Sequence, residues 1–339
     1  MQRVVVPPAA LPAVHGMRRW LHVLPLLIGV AALAVLVERT GWGVLIGALA
    51  RIGPWFALIA VIDLCAVMCD SGALHAYARV HARVSYTRVF AAQASGLAIN
   101  RLTPGNCLGE PIKVTMLIGE LPRSAAVSSV VMFNVATMWC AIATIILGVP
   151  VTLLSLELPV RAEVAVWIAS AVLLAFAVAL LLIVRRGALG VVVRNARRLG
   201  LVSAAKARRW ETAVVSIDGD IRRIGRPEVR HALIFVVASR LLYATGTIVL
   251  MVAVGLPLTL PLVLATVSVG ILITWVSNLV PLGLGIADGS NYALYGALGA
   301  TGGAGLVFTM ASRARTIVLA LLGLTVMGVS ALALDDSRR

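Results

Sequence analysis

The stretch Asn100-Arg-Leu-Thr-Pro-Gly-Asn-Cys-Leu-Gly-Glu-Pro-Ile-Lys113 is the natural starting point for this chain. Proline and glycine break an apolar region here, and a new helical pattern starts at Glu110, followed by a proline that suits a first helical turn. A related stretch, Asn278-Leu-Val-Pro-Leu-Gly-Leu-Gly-Ile-Ala-Asp288, recurs downstream. In both stretches an Asn precedes a Pro, glycines follow, and an acid opens the next helix. Paired breaks of this kind in the two halves of a membrane protein indicate a transporter binding site.

The composition is typical of an integral membrane protein. Hydrophobic residues make up 60% of the chain and charged residues 13%, and the mean hydropathy is +1.01. Soluble domains carry about a quarter charged residues. The net charge of +15 would suggest nucleic-acid binding in a soluble chain. Here the basic residues lie in a few segments between apolar runs, so membrane orientation and anionic lipid head groups explain them, and no nucleic-acid partner is predicted.

The apolar runs divide the chain into two similar halves. Runs long enough to span a bilayer are predicted at 20–37, 54–74, 124–149, 164–184, 232–254 and 305–334. Shorter or broken pairs surround the two motifs, at 89–99 with 114–121 and at 258–280 with 292–300. We predict an all-α polytopic membrane protein of two inverted repeats, each with three spanning helices and a broken re-entrant hairpin.

Charge sets the predicted orientation. We predict a cytoplasmic segment 1–19, a first repeat 20–150, a second repeat 151–334 and a cytoplasmic tail 335–339. Within the second repeat, the heavily basic segment 185–230 predicts an amphipathic helix on the anionic cytoplasmic leaflet, with a solvated linker helix as the alternative. The positive-inside rule then places both termini in the cytoplasm and the protein in the inner (plasma) membrane. Two full crossings per hairpin would preserve the same loop sidedness.

The breaks predict a binding cavity. Non-helical backbone at membrane depth is tolerated only inside protein or along a watery cavity, so we expect a central hydrated cavity whose positive charges suit a phosphate-bearing head group. Glu110 and Asp288 could instead only cap helices and pair with arginines. The candidate substrate-binding residues are Asn100, Arg101, Pro104, Gly105, Gly109, Glu110, Lys113, Arg240, Asn278, Pro281, Gly283, Gly285, Asp288, Arg313 and Arg315.

Two acids lie in the second apolar run. Asp63 and Asp70 are seven residues apart and share one helical face. Because carboxylates inside a membrane are costly, they are candidates for proton or cation coupling. Alternatively, Asp70 lies at the interface and Asp63 pairs with a buried arginine. In the last run, Arg313 and Arg315 point about 200° apart. We expect Arg313 in the cavity near Asp288 and Arg315 at the outer interface.

With these residues in view, the chain resembles the flippase-like transmembrane region of lysylphosphatidylglycerol synthetases and its stand-alone relatives. Pro104-Gly-Asn-Cys-Leu-Gly-Glu-Pro-Ile-Lys113 is similar to the family's Pro-Gly…Gly-Glu-x-x-Arg/Lys, and Pro281-Leu-Gly-Leu-Gly-Ile-Ala-Asp288 to its Pro-x-Gly-x-Gly-x-x-Glu. Three departures thin the family's charged network: Asn106-Cys107 for a single Arg, Val131-Met-Phe-Asn-Val-Ala-Thr137 for a Glu-Arg…Asp pattern, and Asp288 for Glu. We expect no aminoacyl-transferase domain after Arg339, so the resemblance implies movement of a lipid rather than its synthesis.

The leading hypothesis is therefore a translocator that moves an anionic or modified lipid, or a lipid-linked precursor, between leaflets. One alternative is a membrane enzyme that uses Glu110 or Asp63 as acid or base on a polyprenyl-phosphate or phospholipid head group. Another is a scaffold that holds lipid-modifying enzymes through 185–230. The sequence contains no metal-ligand cluster, nucleophile elbow or phosphate loop, so no catalytic residue, cofactor or metal is predicted. The expected partners are membrane lipids, and no oligomeric state is predicted.

Overall fold

A computed structural model of the protein describes residues 52–106, 108–154, 223–278 and 285–336, with scattered positions in 27–50, 164–182 and 217–221. All regular structure within these residues is helical. The helices, in chain order, are α1 (Trp55–Ala78), α2 (Tyr86–Leu102), α3 (Gly109–Leu117), α4 (Arg123–Leu154), α5 (Arg226–Ala253), α6 (Leu260–Ser277), α7 (Ile286–Ala297) and α8 (Gly302–Asp336). Most of the basic segment 185–230, together with Pro281 and Gly283, lies outside the described residues.

Five of the described helices are long and apolar enough to cross a membrane, as expected of a multi-pass membrane protein. They are α1, α4, α5, α6 and, over Gly302–Ser330, α8. Helix α4 continues through Pro150 to Leu154, so it extends beyond the predicted end of its apolar run at residue 149. Helix α6 has 18 residues, about 27 Å at the usual rise, which is close to the thickness of the hydrocarbon core at about 30 Å.

The two breaks fall at the motifs. After α2, a single 3₁₀ turn at Pro104–Asn106 carries Gly105 at φ 73° and Asn106 at φ 50°, a left-handed path that glycine and asparagine adopt most readily. Helix α3 then begins, with Glu110 in its first turn. The second break ends at Gly285, whose φ is 84°, and α7 follows with Asp288 in its first turn. Both acids therefore lie at helix starts, as the sequence predicts.

The helices of the two halves pack in a reciprocal pattern. Helices α1 and α5 pack together, α2 packs against α8, and α4 packs against α6. In the last two of these helix pairs, a glycine allows the helices to approach closely. A Cβ atom on Gly323 of α8 would lie 2.4 Å from the Ala94 carbonyl oxygen of α2, and one on Gly148 of α4 would lie 2.3 Å from Ser268 Oγ of α6. Small residues at helix contacts are how membrane helices approach closely, since lipid supplies no hydrophobic driving force between them.

Candidate functional site

The first break contacts the residue at which the second break begins. The Gly105 amide donates a hydrogen bond to the Asn278 carbonyl oxygen at 2.9 Å. Gly105 lies in the turn between α2 and α3, and Asn278 caps the C-terminus of α6. Each break leaves backbone groups without a helical partner, and here one break satisfies a group of the other. The first break therefore contacts Asn278, the first residue of the second related stretch.

Around the first break, the Glu110 carboxylate is the centre of a polar cluster. Its Oε1 accepts hydrogen bonds from Asn100 Nδ2 and from Lys113 Nζ, both at 2.9 Å. Its Oε2 accepts one from Asn134 Nδ2 on α4 at 2.7 Å. Asn100 Oδ1 in turn accepts from the Gly109 amide at 2.7 Å, so Asn100 satisfies a free N–H group at the start of α3. Glu110 pairs with a lysine and two amides rather than with an arginine.

The ammonium group of this cluster is deeply enclosed. The Lys113 side chain is 3% exposed, and its Nζ lies 5.3 Å from the centre of the Phe133 ring, at cation–π distance. Gly96 on α2 leaves the room for the lysine stem, because a Cβ there would lie 2.4 Å from Lys113 Cγ. Gly109 brings α2 and α3 together, since a Cβ there would lie 2.0 Å from the Gly96 carbonyl oxygen.

At the second break, Asp288 both caps a helix and holds an arginine. Its Oδ2 accepts a hydrogen bond from the Gly285 amide at 3.0 Å and another from Arg313 Nη2 at 2.7 Å. The Asp288 Oδ1 atom is buried and has no partner among the described residues. The Arg313 side chain is 12% exposed and also contacts Met310 Sδ at 3.7 Å. The expected position of Arg313 beside Asp288 is confirmed.

The expected position of Arg315 at the outer interface is wrong. Its guanidinium pairs with Asp63 on α1, with Nε donating to Oδ2 at 2.7 Å and Nη2 donating to Oδ1. Thr247 on α5 accepts a third hydrogen bond from Nη1 at 3.1 Å. The side chains of Arg315 and Asp63 are 13% and 1% exposed. A buried carboxylate needs a compensating charge, and Arg315 supplies it for Asp63. The alternative in which Asp63 pairs with a buried arginine is confirmed.

Asp70 is also buried in an ion pair. Arg240 Nη2 on α5 donates to both Asp70 oxygens, at 2.6 and 2.8 Å, and to Ser239 Oγ at 3.1 Å. The Asp70 side chain is 4% exposed. Asp63 and Asp70 share the inward face of α1, as their spacing predicts, yet their partners come from two different helices.

The chain matches the family described as the lysylphosphatidylglycerol synthase TM region over residues 22–323. It belongs to this family. Neither the curated proteins nor the solved structures gave a match to the chain. The match covers both breaks, the polar cluster around Glu110 and the Asp288–Arg313 pair. The protein is thus a multi-pass membrane protein of the lysylphosphatidylglycerol synthase TM region family, whose name relates it to membrane phospholipid handling.

In this member of the lysylphosphatidylglycerol synthase TM region family, two contributors to the site were not predicted. Asn134 lies in the stretch where the sequence departs from the family's charged pattern, and it supplies an amide to Glu110 in place of a charge. Gly96 gives no motif signal, because only the approach of Lys113 across the hairpin reveals its role. Among the residues that the structure describes, no three His, Cys, Asp or Glu side chains converge as metal ligands.

A small pocket adjoins the Asp63–Arg315 pair. It lies between α1 and α8, and its walls are mostly apolar, with the ion pair as the polar part of the lining. The lining residues are Phe56, Ile59, Ala60, Asp63, Arg315, Val318, Leu319 and Leu322. The pocket is apart from the Gly105–Asn278 contact, so the expected central cavity between the breaks stays a prediction. Among the described residues, the contact between the first break and the start of the second is the Gly105–Asn278 hydrogen bond.

Proposed function

We propose that this protein moves a phosphate-bearing lipid, either an anionic or modified phospholipid or a lipid-linked precursor, between the leaflets of the plasma membrane. The observation that carries the proposal is the hydrogen bond between the two breaks, from Gly105 to Asn278. Breaks at membrane depth are tolerated where they line a substrate path, and transporters place such breaks together at the interface of two repeats. Membership of a lipid-related membrane family supports the same conclusion.

The chemistry of each break suits a head group that arrives with negative charge. Helix α3 directs its first-turn amides and Lys113 toward the break, and α7 does the same beside Arg313. Lys113 is held by Glu110 of its own helix α3, and Arg313 of α8 is held by Asp288 at the start of α7. A phosphate could exchange with these carboxylates as partner of the cations, which would make the acids counter-ions that release the cation to the substrate.

The reciprocal packing of α2 against α8 and of α4 against α6 supports two repeats related by a pseudo-two-fold axis. With three crossings per repeat and hairpins that enter and leave on one side, the repeats are inverted, so the same site can open to either leaflet in turn. The buried pairs Asp63–Arg315 and Asp70–Arg240 tie α1 to α8 and α5. We propose that they couple the movement of these helices, and that the two acids are the sites at which a proton or cation would act.

Reconstitution tests the proposal. The purified protein is placed in vesicles that contain a fluorescent phospholipid in both leaflets, and a membrane-impermeant reductant bleaches the outer leaflet. A translocator lets bleaching pass beyond the outer half, with a rate that depends on the head group. The same lipids are then extracted and analysed for mass. Altered lipid without movement would favour the interfacial enzyme, while neither movement nor alteration would leave the scaffold as the better account.

A further inference from the structure

The end of the basic segment, residues 217–224, docks onto the protein at its described positions. Ile217 and Ile221 form an apolar cluster with Val135 of α4, in which Ile221 and Val135 are buried. Ile224 joins the main apolar cluster. These three isoleucines recur at helical spacing, so one face of the stretch turns inward. We call this stretch the docked end of the segment.

A histidine and an aspartate meet at the docked end. His81, in the connection between α1 and α2, places its Nδ1 atom 3.9 Å from Asp220 Oδ1. The two side chains are only 3% and 13% exposed. Their separation exceeds a hydrogen bond, and His81 Nε2 and Asp220 Oδ2 are both buried without a partner among the described residues. The contact is therefore enclosed but incompletely hydrogen-bonded.

The charge state of His81 decides whether this contact is favourable. A neutral imidazole carries one N–H group, which can point to Asp220, whereas an imidazolium carries N–H groups on both ring nitrogens. In the docked arrangement the N–H on Nε2 would be buried, and none of the described residues accepts a hydrogen bond from it. Burying a charge with an unpaired donor is costly, and exposure to water removes that cost. Protonation of His81 therefore favours release of the docked end.

The neighbouring charges leave this preference in place. Burial lowers the pKa of His81 below its ordinary value, Asp220 opposes that shift, and Arg223 adds to it. Arg223 Nη1 also lies 3.9 Å from Asp220 Oδ1, so this carboxylate oxygen is shared between His81 and Arg223. The arginines of the connection itself, Arg79 and Arg83, are exposed to solvent. His81 thus binds its proton more weakly in the docked arrangement than in a released one.

We propose that His81 and Asp220 form a pH-sensitive latch, which holds the docked end while His81 is neutral and releases it when His81 gains a proton. Docking is most favourable above the ordinary histidine pKa of about 6.5, and it weakens as the pH falls below that value. Because Val135 directly follows Asn134, release uncovers α4 beside the Asn134–Glu110 hydrogen bond. Any effect on lipid movement rests on the proposed function, whereas the latch does not.

Electron paramagnetic resonance of a single spin label tests the latch in the full-length protein in detergent. The label is attached at Gly219→Cys after the four native cysteines are replaced by alanine. Gly219 is exposed and a Cβ there meets nothing within 4 Å, so the mobility of the label reports the mobility of the docked end. The ratio of mobile to ordered label should rise between pH ~7.5 and ~5.5, by at most about tenfold per pH unit because one proton is bound.

Three variants separate the titration of His81 from a general effect of acid. His81→Gln keeps a polar but uncharged side chain, so its label should stay ordered at both pH values. His81→Lys is charged at both, so its label should be mobile even at the higher pH. His231→Gln, at an exposed histidine near the start of α5, is the control and should respond to pH as the parent does.

Several results would overturn the latch. They are a label whose mobility does not change with pH, tighter docking in acid, a parent-like response in His81→Gln, and loss of the response in His231→Gln. His81→Gln is conservative enough to keep the test available even where His81→Lys folds poorly. Lipid movement in vesicles is measured over the same pH range. Release of the docked end in a protein that moves no lipid would retain the latch and reject the proposed function, while lipid movement without release would do the opposite.

Discussion

Arg315 of α8 donates to both carboxylate oxygens of Asp63 on α1, across 252 residues of chain. The pair joins the last helix to the first fully described one, and Thr247 of α5 completes its hydrogen bonding. Two charges so deeply enclosed are each tolerable only because of the other. The pair is therefore both a tertiary constraint and a place where protonation or substrate could change the packing of three helices.

We expect Asp63→Asn and Arg315→Gln each to destabilise the protein by about 3–5 kcal/mol, because each leaves one buried charge unpaired. Thermal unfolding in detergent measures the effect. Replacing both residues at once should cost less than the sum of the single changes. Arg223→Gln, whose side chain is 75% exposed, is the control and should change stability by less than about 0.5 kcal/mol. Single variants as stable as the parent would show that the pair does not hold α1 and α8 together.

Glu110→Gln should slow lipid movement by at least about tenfold while the protein still folds. The glutamine carbonyl can accept from Asn100 or Lys113, but the charge that Lys113 faces is gone. Lys113→Ala should also slow movement, because it removes the cation. Glu120→Gln is a matched control, since Glu120 is 29% exposed and Glu110 28%, and Glu120 likewise faces a basic residue. Normal movement by both site variants would favour a purely capping role for Glu110.

At Arg313, lysine and glutamine should behave differently. Arg313→Lys keeps a positive charge beside Asp288 and should retain part of the lipid movement, whereas Arg313→Gln should retain almost none. Both variants keep the Gly285–Asp288 cap, so helix α7 should still begin at the same place. Rates in reconstituted vesicles, compared at equal amounts of folded protein, provide the measurement. Equal rates for the two variants would show that lipid movement does not depend on the positive charge of Arg313.

Close packing in the first hairpin predicts that Gly109→Ala is severely destabilising. The added methyl group would fall 2.0 Å from the Gly96 carbonyl oxygen, so α2 and α3 would have to separate and the Asn100–Gly109 hydrogen bond would be lost. Gly270→Ala in α6 is the control, because nothing lies within 4 Å of its added methyl group. That change should be neutral or stabilising by up to about 1 kcal/mol, as expected from helix propensity. Equal unfolding temperatures for the two variants would contradict this packing.

The topology prediction concerns loops rather than the site. Cysteine labels at Ala205 and Ser337 should react only from the cytoplasmic side, and a label at Leu256 only from the opposite side, because the basic residues concentrate in 185–230. Impermeant reagents applied to intact cells and to inverted vesicles make the measurement. External labelling at Ala205 would exclude the inverted arrangement.

Much of the fold follows from local chemistry along the chain. Apolar runs long enough for a bilayer become α1, α4, α5 and α8, and the helix starts after the breaks lie at the acids that mark them. Backbone conformation and helix capping depend on neighbouring residues, so they can be predicted from short motifs. The position of Arg313 beside Asp288 can also be predicted from the sequence, because a short connection joins the hairpin arm α7 to the next helix, α8.

The charge pairs, by contrast, depend on how helices from the two halves pack. Asp70 and Arg240 are 170 residues apart, and no local pattern states which arginine a buried carboxylate will meet. Asn134 and Gly96 join the site only because α4 and α2 approach the Glu110–Lys113 pair from two sides. Interactions within one or two helical turns follow from the spacing of residues in the sequence. These long-range partners depend on how the helices pack, because a buried charge is tolerated only where packing brings an opposite charge or a hydrogen-bonding group to it.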